Sequence, residues 1–476
     1  MQQSIPEASD VAASSDDERL DPAVWRIAAV ALFGALLAQL DATIVNVSLS
    51  SLATELHSSL ATVQWVTSGY LLALTLVLPL NGWLVGRIGS KALYLWCFSA
   101  FTLCSTLCGL AWSAGSLIGF RVLQGVSGGL LAPMTQMMIA RAAGRHMARV
   151  AGYMAVPVLL APVLGPVLAG SILQYASWRW LFLVNVPVGL IALVLVVRFL
   201  PDDRDETARR RLDWLGLALL SPGLVMLLYG FERLGATAGS VIMAAGVGMI
   251  MTFLCNARHK AGDALIDLRL FGGKAFSTAA ITQFLSNGGM FAGQMLIPAF
   301  LIQACGRTPG QMGWMLAPMG IGMMLINPFM GLMIDRFGIR RVSSGGACLT
   351  LLATLPMIYL ALHGLNLLIL IAALLLRGMG ISSIGLPSLT AAYASISREQ
   401  MPMATTSLNI VQRLGGPTLT TLCATFLAWK LGTAGTDHAV SIAFAWTFLI
   451  LCAVHALTVL GAIRLPRQLN ELATTD

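Results

Sequence analysis

The chain runs to 476 residues, 57% of them hydrophobic and only 11% charged, with a mean hydropathy of +0.80. A water-soluble domain carries about 25% charged residues, so a chain this apolar lacks the polar surface to meet water on every side, and lipid is the solvent it implies. The formal charge of +8 raises nucleic acid as a partner, a reading that the placement of the basic residues excludes.

The chain opens with a tail rich in Ser, Asp and Glu (1–23), expected to be disordered and cytoplasmic, with no cleavable signal pattern. Fourteen apolar spans of bilayer-crossing length follow, at roughly 25–50, 62–85, 92–112, 117–140, 148–173, 180–199, 213–231, 236–256, 277–304, 311–333, 343–362, 366–393, 403–429 and 438–463. An all-α membrane protein is expected. An even number of spans puts both termini on one side.

The 29 Lys and Arg divide sharply under that topology. Most fall on the side of the termini, among them Arg87, Lys91, Arg141, Arg149, the Arg209–Arg211 cluster, Arg336, Arg340 and Arg341. The other side holds only Arg179, Arg233, Arg307 and Lys430. The positive-inside rule places the basic side in the cytoplasm, so the basic excess reports topology and no nucleic acid is implied. Arg121, Arg377 and Arg413 remain within spans. The eight cysteines lie in or beside spans, where thiols act as small hydrophobes. No metal-ligand spacing and no cofactor motif occurs.

A segment recurs. Gly82-Trp-Leu-Val-Gly-Arg-Ile-Gly-Ser-Lys91 returns as Gly331-Leu-Met-Ile-Asp-Arg-Phe-Gly-Ile-Arg340, so that Gly82, Arg87, Gly89 and Lys91 match Gly331, Arg336, Gly338 and Arg340 at one constant offset. A looser echo pairs Arg121 and Pro133 with Arg377 and Pro387. The repeat divides the chain into two six-span bundles (24–200 and 277–464). Between them lie a charged linker (201–212), two inserted spans (213–256) and an amphipathic linker (257–276), and a short cytoplasmic tail (465–476) closes the chain. Duplicated bundles around a pseudo-two-fold axis are a transporter architecture, with a cavity between them that opens to either side in turn. The glycines of the repeated loop permit tight turning and its bases reach carbonyls, acids or lipid phosphate, which suits a gate at the cytoplasmic mouth.

Asp41, in LLAQLDATIVNVSL (36–49), is the one acid deep within a span. A charge at the bilayer centre costs about 2.5–3.5 kcal/mol on insertion scales. It is tolerated when it faces water, takes a proton or meets a cation, and Arg121 of the same bundle is the first partner expected. A carboxyl whose wetness and partner change as the cavity switches sides is a proton carrier; a fixed structural ion pair is the alternative. Arg413 serves an anionic group, the pathway wall or the brace between bundles. Asn46, Gln64, Gln124, Gln136, Asn185, Asn287, Gln294 and Asn409 are uncharged polar candidates for the cavity, or for bonds between helices. In the fifth span Pro157, Pro162 and Pro166 remove backbone donors, while Gly165 and Gly170 allow close approach, so a bent and tightly packed helix is expected.

The repeated loop resembles the G-x-L-x-D-R-x-G-x-[RK] signature of the major facilitator superfamily. Gly86 replaces the usual Asp in the first copy, and Asp335 is kept in the second. LDATIVNVSL (40–49), FRVLQGVSGG (120–129), APVLGPVLAG (161–170) and SWRWLFLVNVPVG (177–189) resemble the fourteen-helix drug:proton antiporter branch of that family. The resemblance covers the chain from about residue 24 to the last span. It implies the major facilitator fold and antiport through Pro162, Gly165, Pro166 and Gly170, with Ala161 and Ala169 in place of two motif glycines. It also implies a bacterial inner membrane. The expected activity is proton-coupled export of amphipathic or lipophilic small molecules, with no enzyme chemistry, metal or cofactor, and with a periplasmic adaptor left open. A metabolite exporter or proton symporter of the same fold is one alternative, and a non-transporting receptor or scaffold another.

Overall fold

The computed structural model describes residues 21–202, 211–233, 237–260, 264–432 and 437–467. Within them all regular structure is helical, in seventeen α-helices and a few short 3-10 helices. The first group comprises α1 (Pro22–Glu55), α2 (Leu60–Val77), α3 (Asn81–Ile88), α4 (Ser90–Gly109), α5 (Ala114–Ala143), α6 (Met147–Tyr175), α7 (Trp180–Leu183) and α8 (Asn185–Phe199). An inserted pair follows, α9 (Trp214–Glu232) and α10 (Thr237–Lys260). The second group comprises α11 (Lys274–Gln303), α12 (Pro309–Ile326), α13 (Met330–Phe337), α14 (Ile339–His363), α15 (Leu367–Ala394), α16 (Met401–Gly432) and α17 (Asp437–Ile463).

Three of the expected spans are built from two helices each: α2 with α3, α7 with α8, and α12 with α13. Twelve segments among the described residues are long and apolar enough to cross a bilayer. Two expected spans fall outside that set although both are helical. In α6 the described apolar stretch is only Met147–Ala161. In α16 the half that begins at Met401 carries Thr405, Thr406, Ser407, Asn409, Gln412 and Arg413, too polar a run for a lipid-facing helix.

The sequence repeat is a repeat of shape. α2 and α3 meet through a 3-10 turn at Leu78–Leu80, and α12 and α13 meet through one at Asn327–Phe329, each holding a proline that supplies no backbone donor. Gly89 then takes φ 82°, ψ 162°, and Gly338 takes φ 80°, ψ 159°. That positive-φ conformation costs glycine nothing and side-chain-bearing residues a great deal. The caps agree as well: Ser59 accepts from Thr62 N at the start of α2, as Thr308 accepts from Gln311 N at the start of α12.

Contacts between the two groups gather at the ends that carry the basic turns. A Cβ on Gly82 would lie 3.1 Å from the Pro402 carbonyl oxygen and 3.2 Å from Met403 Cα, so α3 is seated on the start of α16. A Cβ on Gly331 would lie 2.5 Å from Arg149 Cβ, so α13 is seated on α6. Asn81 Nδ2 donates to Thr406 Oγ1 at 3.3 Å, and Tyr393 Oη donates to Gln136 Oε1 at 3.0 Å. Of the loop bases, Arg340 reaches a carbonyl, its Nε donating to that of Leu465 at 2.6 Å, while Arg87 and Arg336, like Asp335, are exposed. Lys91 is half-buried at the start of α4. Backbone proximity through glycine does the seating. Among the described residues no hydrogen bond joins the two groups at their opposite ends.

The inserted pair is clamped at one point. Asp213 caps α9 through Gly216 N (2.9 Å), receives Lys260 Nζ of α10 (2.6 Å) and receives Leu265 N of the following segment (3.2 Å). Burial alone would push this carboxyl up, but the Lys260 ammonium and the two backbone donors outweigh it and hold the carboxyl below its usual range. The pair is no remote appendage, since α9 lies against both α2 and α16.

Candidate functional site

Asp41 and Arg121 meet. Arg121 Nη1 lies 2.6 Å from Asp41 Oδ2, with Asp41 and Arg121 both fully buried. The neighbouring helices complete the set. Asn185 Nδ2 donates to Asp41 Oδ1 at 2.9 Å, and Gln124 Nε2 donates to the same oxygen at 3.3 Å. Gln124 Oε1 in turn accepts from Arg121 Nη1 at 2.7 Å, and Arg121 Nε donates to the Val66 carbonyl at 3.2 Å. Ser105 Oγ accepts from Gln124 Nε2 (3.1 Å) and Asn185 Nδ2 (3.2 Å) and donates to the Phe182 carbonyl (3.2 Å). The Tyr70 ring lies under the guanidinium, 4.2 Å from Cζ, a favourable seat for a desolvated cation.

The carboxylate on α1 thus receives donors from α5 and α8, and α2, α4 and α7 hold those donors in turn. The reason is local: an ionised carboxylate accepts several hydrogen bonds, and each lone pair left empty in the bundle is costly. Of the two roles expected for Gln124 and Asn185, the structure shows bonds between helices, made to the ion pair. Ser105 and Tyr70 carry no mark in the sequence, since serine and tyrosine in a membrane helix ordinarily bond within it.

The fifth-span motif bears on the same site. A Cβ on Gly165 would strike Thr43, two residues along α1 from Asp41. Ala161 and Ala169 are buried on the same face of α6, one helical turn to either side. Gly170 is exposed and meets nothing within 4 Å of a Cβ position, so the close approach expected there belongs to Ala161, Gly165 and Ala169. The side chains of Asn46, Pro162 and Pro166 lie outside the described residues.

A cavity of about 690 Å³ lies between α2, α9, α11 and α16. Leu71, Leu72, Phe231 and Phe291 give it apolar walls; Asn287, Asn409, Gln412 and Arg413 give it polar ones; Glu232 stands at its outer rim, at the end of α9. Asn287 Oδ1 has no partner, whereas Asn409 Nδ2 bonds Gln136 Oε1 at 2.9 Å and so ties the cavity floor to α5. Gln64 and Gln294 are exposed and line nothing here. The methionines of the tenth span do not line the cavity; Met312, Met315 and Met319 pack on the core beneath Phe300. α2 has two faces: Val66 and Tyr70 hold Arg121, while Leu71, Leu72 and Thr75 meet the cavity.

The sequence profile of the Major Facilitator Superfamily matches residues 31–257 and 279–474. A Mycobacterium tuberculosis protein named multidrug resistance protein B homolog is 35% identical over 421 residues, 87% of this chain and 78% of the relative. A Salmonella typhi protein named as a multidrug resistance protein, MdtD, is 30% identical over 465 residues, 94% of this chain and 96% of the relative. Of solved structures, the proton:xylose symporter XylE superposes with a TM-score of 0.64 at 14% identity, covering 93% of this chain and 95% of that one. The human organic anion transporter MFSD10 gives 0.60 at 17%, covering 91% and 99%. Helix order, repeated loop, profile and relatives agree, and the chain belongs to the Major Facilitator Superfamily of transporters.

Proposed function

We propose that the chain exports amphipathic small molecules from a bacterial cytoplasm in exchange for protons, by alternating access, with Asp41 carrying the proton and Arg121 governing its release. The carrying observation is the Asp41–Arg121 pair: the only acid buried inside a membrane helix among the described residues, one helix face away from an apolar cavity. The two relatives named for multidrug resistance support the cargo class. The basic ends support a cytoplasmic position for the shut side and the termini, which makes this state outward-facing. Asp41 is sealed here, so proton exchange belongs to a rearranged state in which water reaches it. One proton entering supplies about 2.3 kcal/mol per 100 mV and about 1.4 kcal/mol per pH unit, enough to move a cargo tenfold uphill.

Growth inhibition across a chemical panel, with Asp41→Asn beside the unaltered chain, tests the proposal. The variant is expected to reach the membrane and to lose efflux entirely. Undiminished pumping by it defeats the assignment of the carrier, and cargo moving with the proton gradient in proteoliposomes identifies symport. A cargo bearing an acidic group is a second reading, favoured by Arg413 as the cavity's inner charge; acidic members of the panel decide it.

A further inference from the structure

Arg377 is fully buried in α15, and among the described residues no carboxylate faces it. Its partners come from the helices that correspond, bundle for bundle, to those around Arg121. Where α1 supplies Asp41, α11 supplies the Gly289 carbonyl, which accepts from Arg377 Nη2 at 2.9 Å. Where α4 supplies Ser105, α14 supplies Thr354, at the same sequence offset that relates Gly82 to Gly331, and its Oγ1 accepts from Arg377 Nη1 at 2.5 Å. Where α8 supplies Asn185, α17 supplies His455, whose Nε2 lies 3.0 Å from the same Nη1. Gly289 and Gly293 make the room: a Cβ on the first would lie 2.7 Å from the imidazole, and one on the second would strike the guanidinium.

The chemistry of this second cluster is constrained. A guanidinium only donates, so His455 Nε2 accepts, and the imidazole carries its proton on Nδ1. Nδ1 and Arg377 Nε have no partner. A proton added at Nε2 removes the acceptor and sets two cations side by side, so proton uptake and the Arg377 bond exclude each other. The other ionisable groups nearby are the thiols of Cys452 on α17 and Cys423 on α16; α11 beyond Lys274 holds none, and on α14 Cys348, Tyr359 and His363 are exposed. Nothing there compensates a second charge, so a protonated His455 requires Arg377 to swing away from α17. Protonating Asp41 instead removes the countercharge of Arg121, loosening that pair without setting two cations side by side.

We propose that His455 is a second proton-binding residue, the counterpart of Asp41, and that its protonation at Nε2 releases α15 from α17. This rests on the exchange reading above. The test uses the full chain in proteoliposomes with ethidium as the probe, and reads the imposed pH gradient that halts net ethidium movement. His455→Gln keeps an acceptor for Arg377 but takes no proton, and the proton-to-ethidium ratio is expected to fall by roughly half. An unchanged ratio overturns the proposal. Asp41→Asn separates the two readings: if it abolishes exchange while His455→Gln changes nothing, only His455 falls; if it leaves exchange intact while His455→Gln lowers the ratio, the Asp41 reading falls and His455 stands. Should His455→Gln not fold, nitrogen NMR of the histidine-labelled unaltered chain in lipid decides. A buried imidazole protonated on Nδ1 at about pH 8 that becomes doubly protonated at about pH 5 in the absence of ethidium supports the proposal; one that stays neutral overturns it.

Discussion

The two bundles place an arginine at corresponding depths and surround it differently. Arg121 meets a carboxylate, one amide, a carbonyl and the Tyr70 ring; Arg377 meets a carbonyl, a hydroxyl and an imidazole. The first site is a closed set of opposite charges and the second an uncompensated cation held by neutral acceptors. Removing one member of a matched buried pair strands a charge, whereas removing a lone cation strands only acceptors.

That contrast is most sharply tested by Arg121→Gln beside Arg377→Gln. The first is expected to cost about 3–5 kcal/mol, by leaving Asp41 buried and unpaired. The second is expected to cost about 1–3 kcal/mol, for the acceptors it leaves empty. Thermal unfolding of the purified chains in detergent ranks them, and an equal or larger loss at Arg377 breaks the comparison. The glycine seats come next. Alanine at Gly331 runs into Arg149 Cβ at 2.5 Å and its Cα at 2.7 Å, whereas alanine at Gly82 meets Pro402 and Met403 at 3.1–3.3 Å. Gly331→Ala is expected to cost the shut state about 1–3 kcal/mol and Gly82→Ala less. Labelling of a cysteine placed at Asn409, applied from the basic side, should rise in that order; equal labelling removes the asymmetry.

The smallest effect concerns the inserted pair, which has no counterpart within either bundle. Because the Asp213 carboxyl is held below its usual value of 3.8, its contribution is complete above that pH and is lost as pH falls through the lower folded value. Asp213→Asn should therefore lower the unfolding temperature by a few degrees at neutral pH, about 1 kcal/mol or less, and not at all in strong acid. A loss that persists in acid assigns the effect to packing.

Much of this was legible in the residues. One acid deep within the apolar spans, and three bases inside them, named Asp41, Arg121, Arg377 and Arg413 by their cost in hydrocarbon. The repeated glycines fixed the two loops, because only positive φ explains Gly89 and Gly338. The polar neighbours were not legible. A bundle helix in lipid is apolar on its buried and exposed faces alike, so the periodicity that orients a soluble helix is absent. Gln124 and Gln64 therefore look alike in sequence, although one binds Asp41 and the other is exposed. His455 belongs to no motif, and only the three-dimensional correspondence of α17 with α8 gave it a meaning.

Each bundle's glycine loop rests on the opposite bundle, Gly82 on α16 and Gly331 on α6. The clasp is mutual, like two hands each gripping the other's wrist. Neither grip slackens alone, so half-open shapes are disfavoured; under the proposed exchange the two counter-moving solutes then stay in step, and a chain with one grip filed away should slip, spilling its driving ion with no freight aboard.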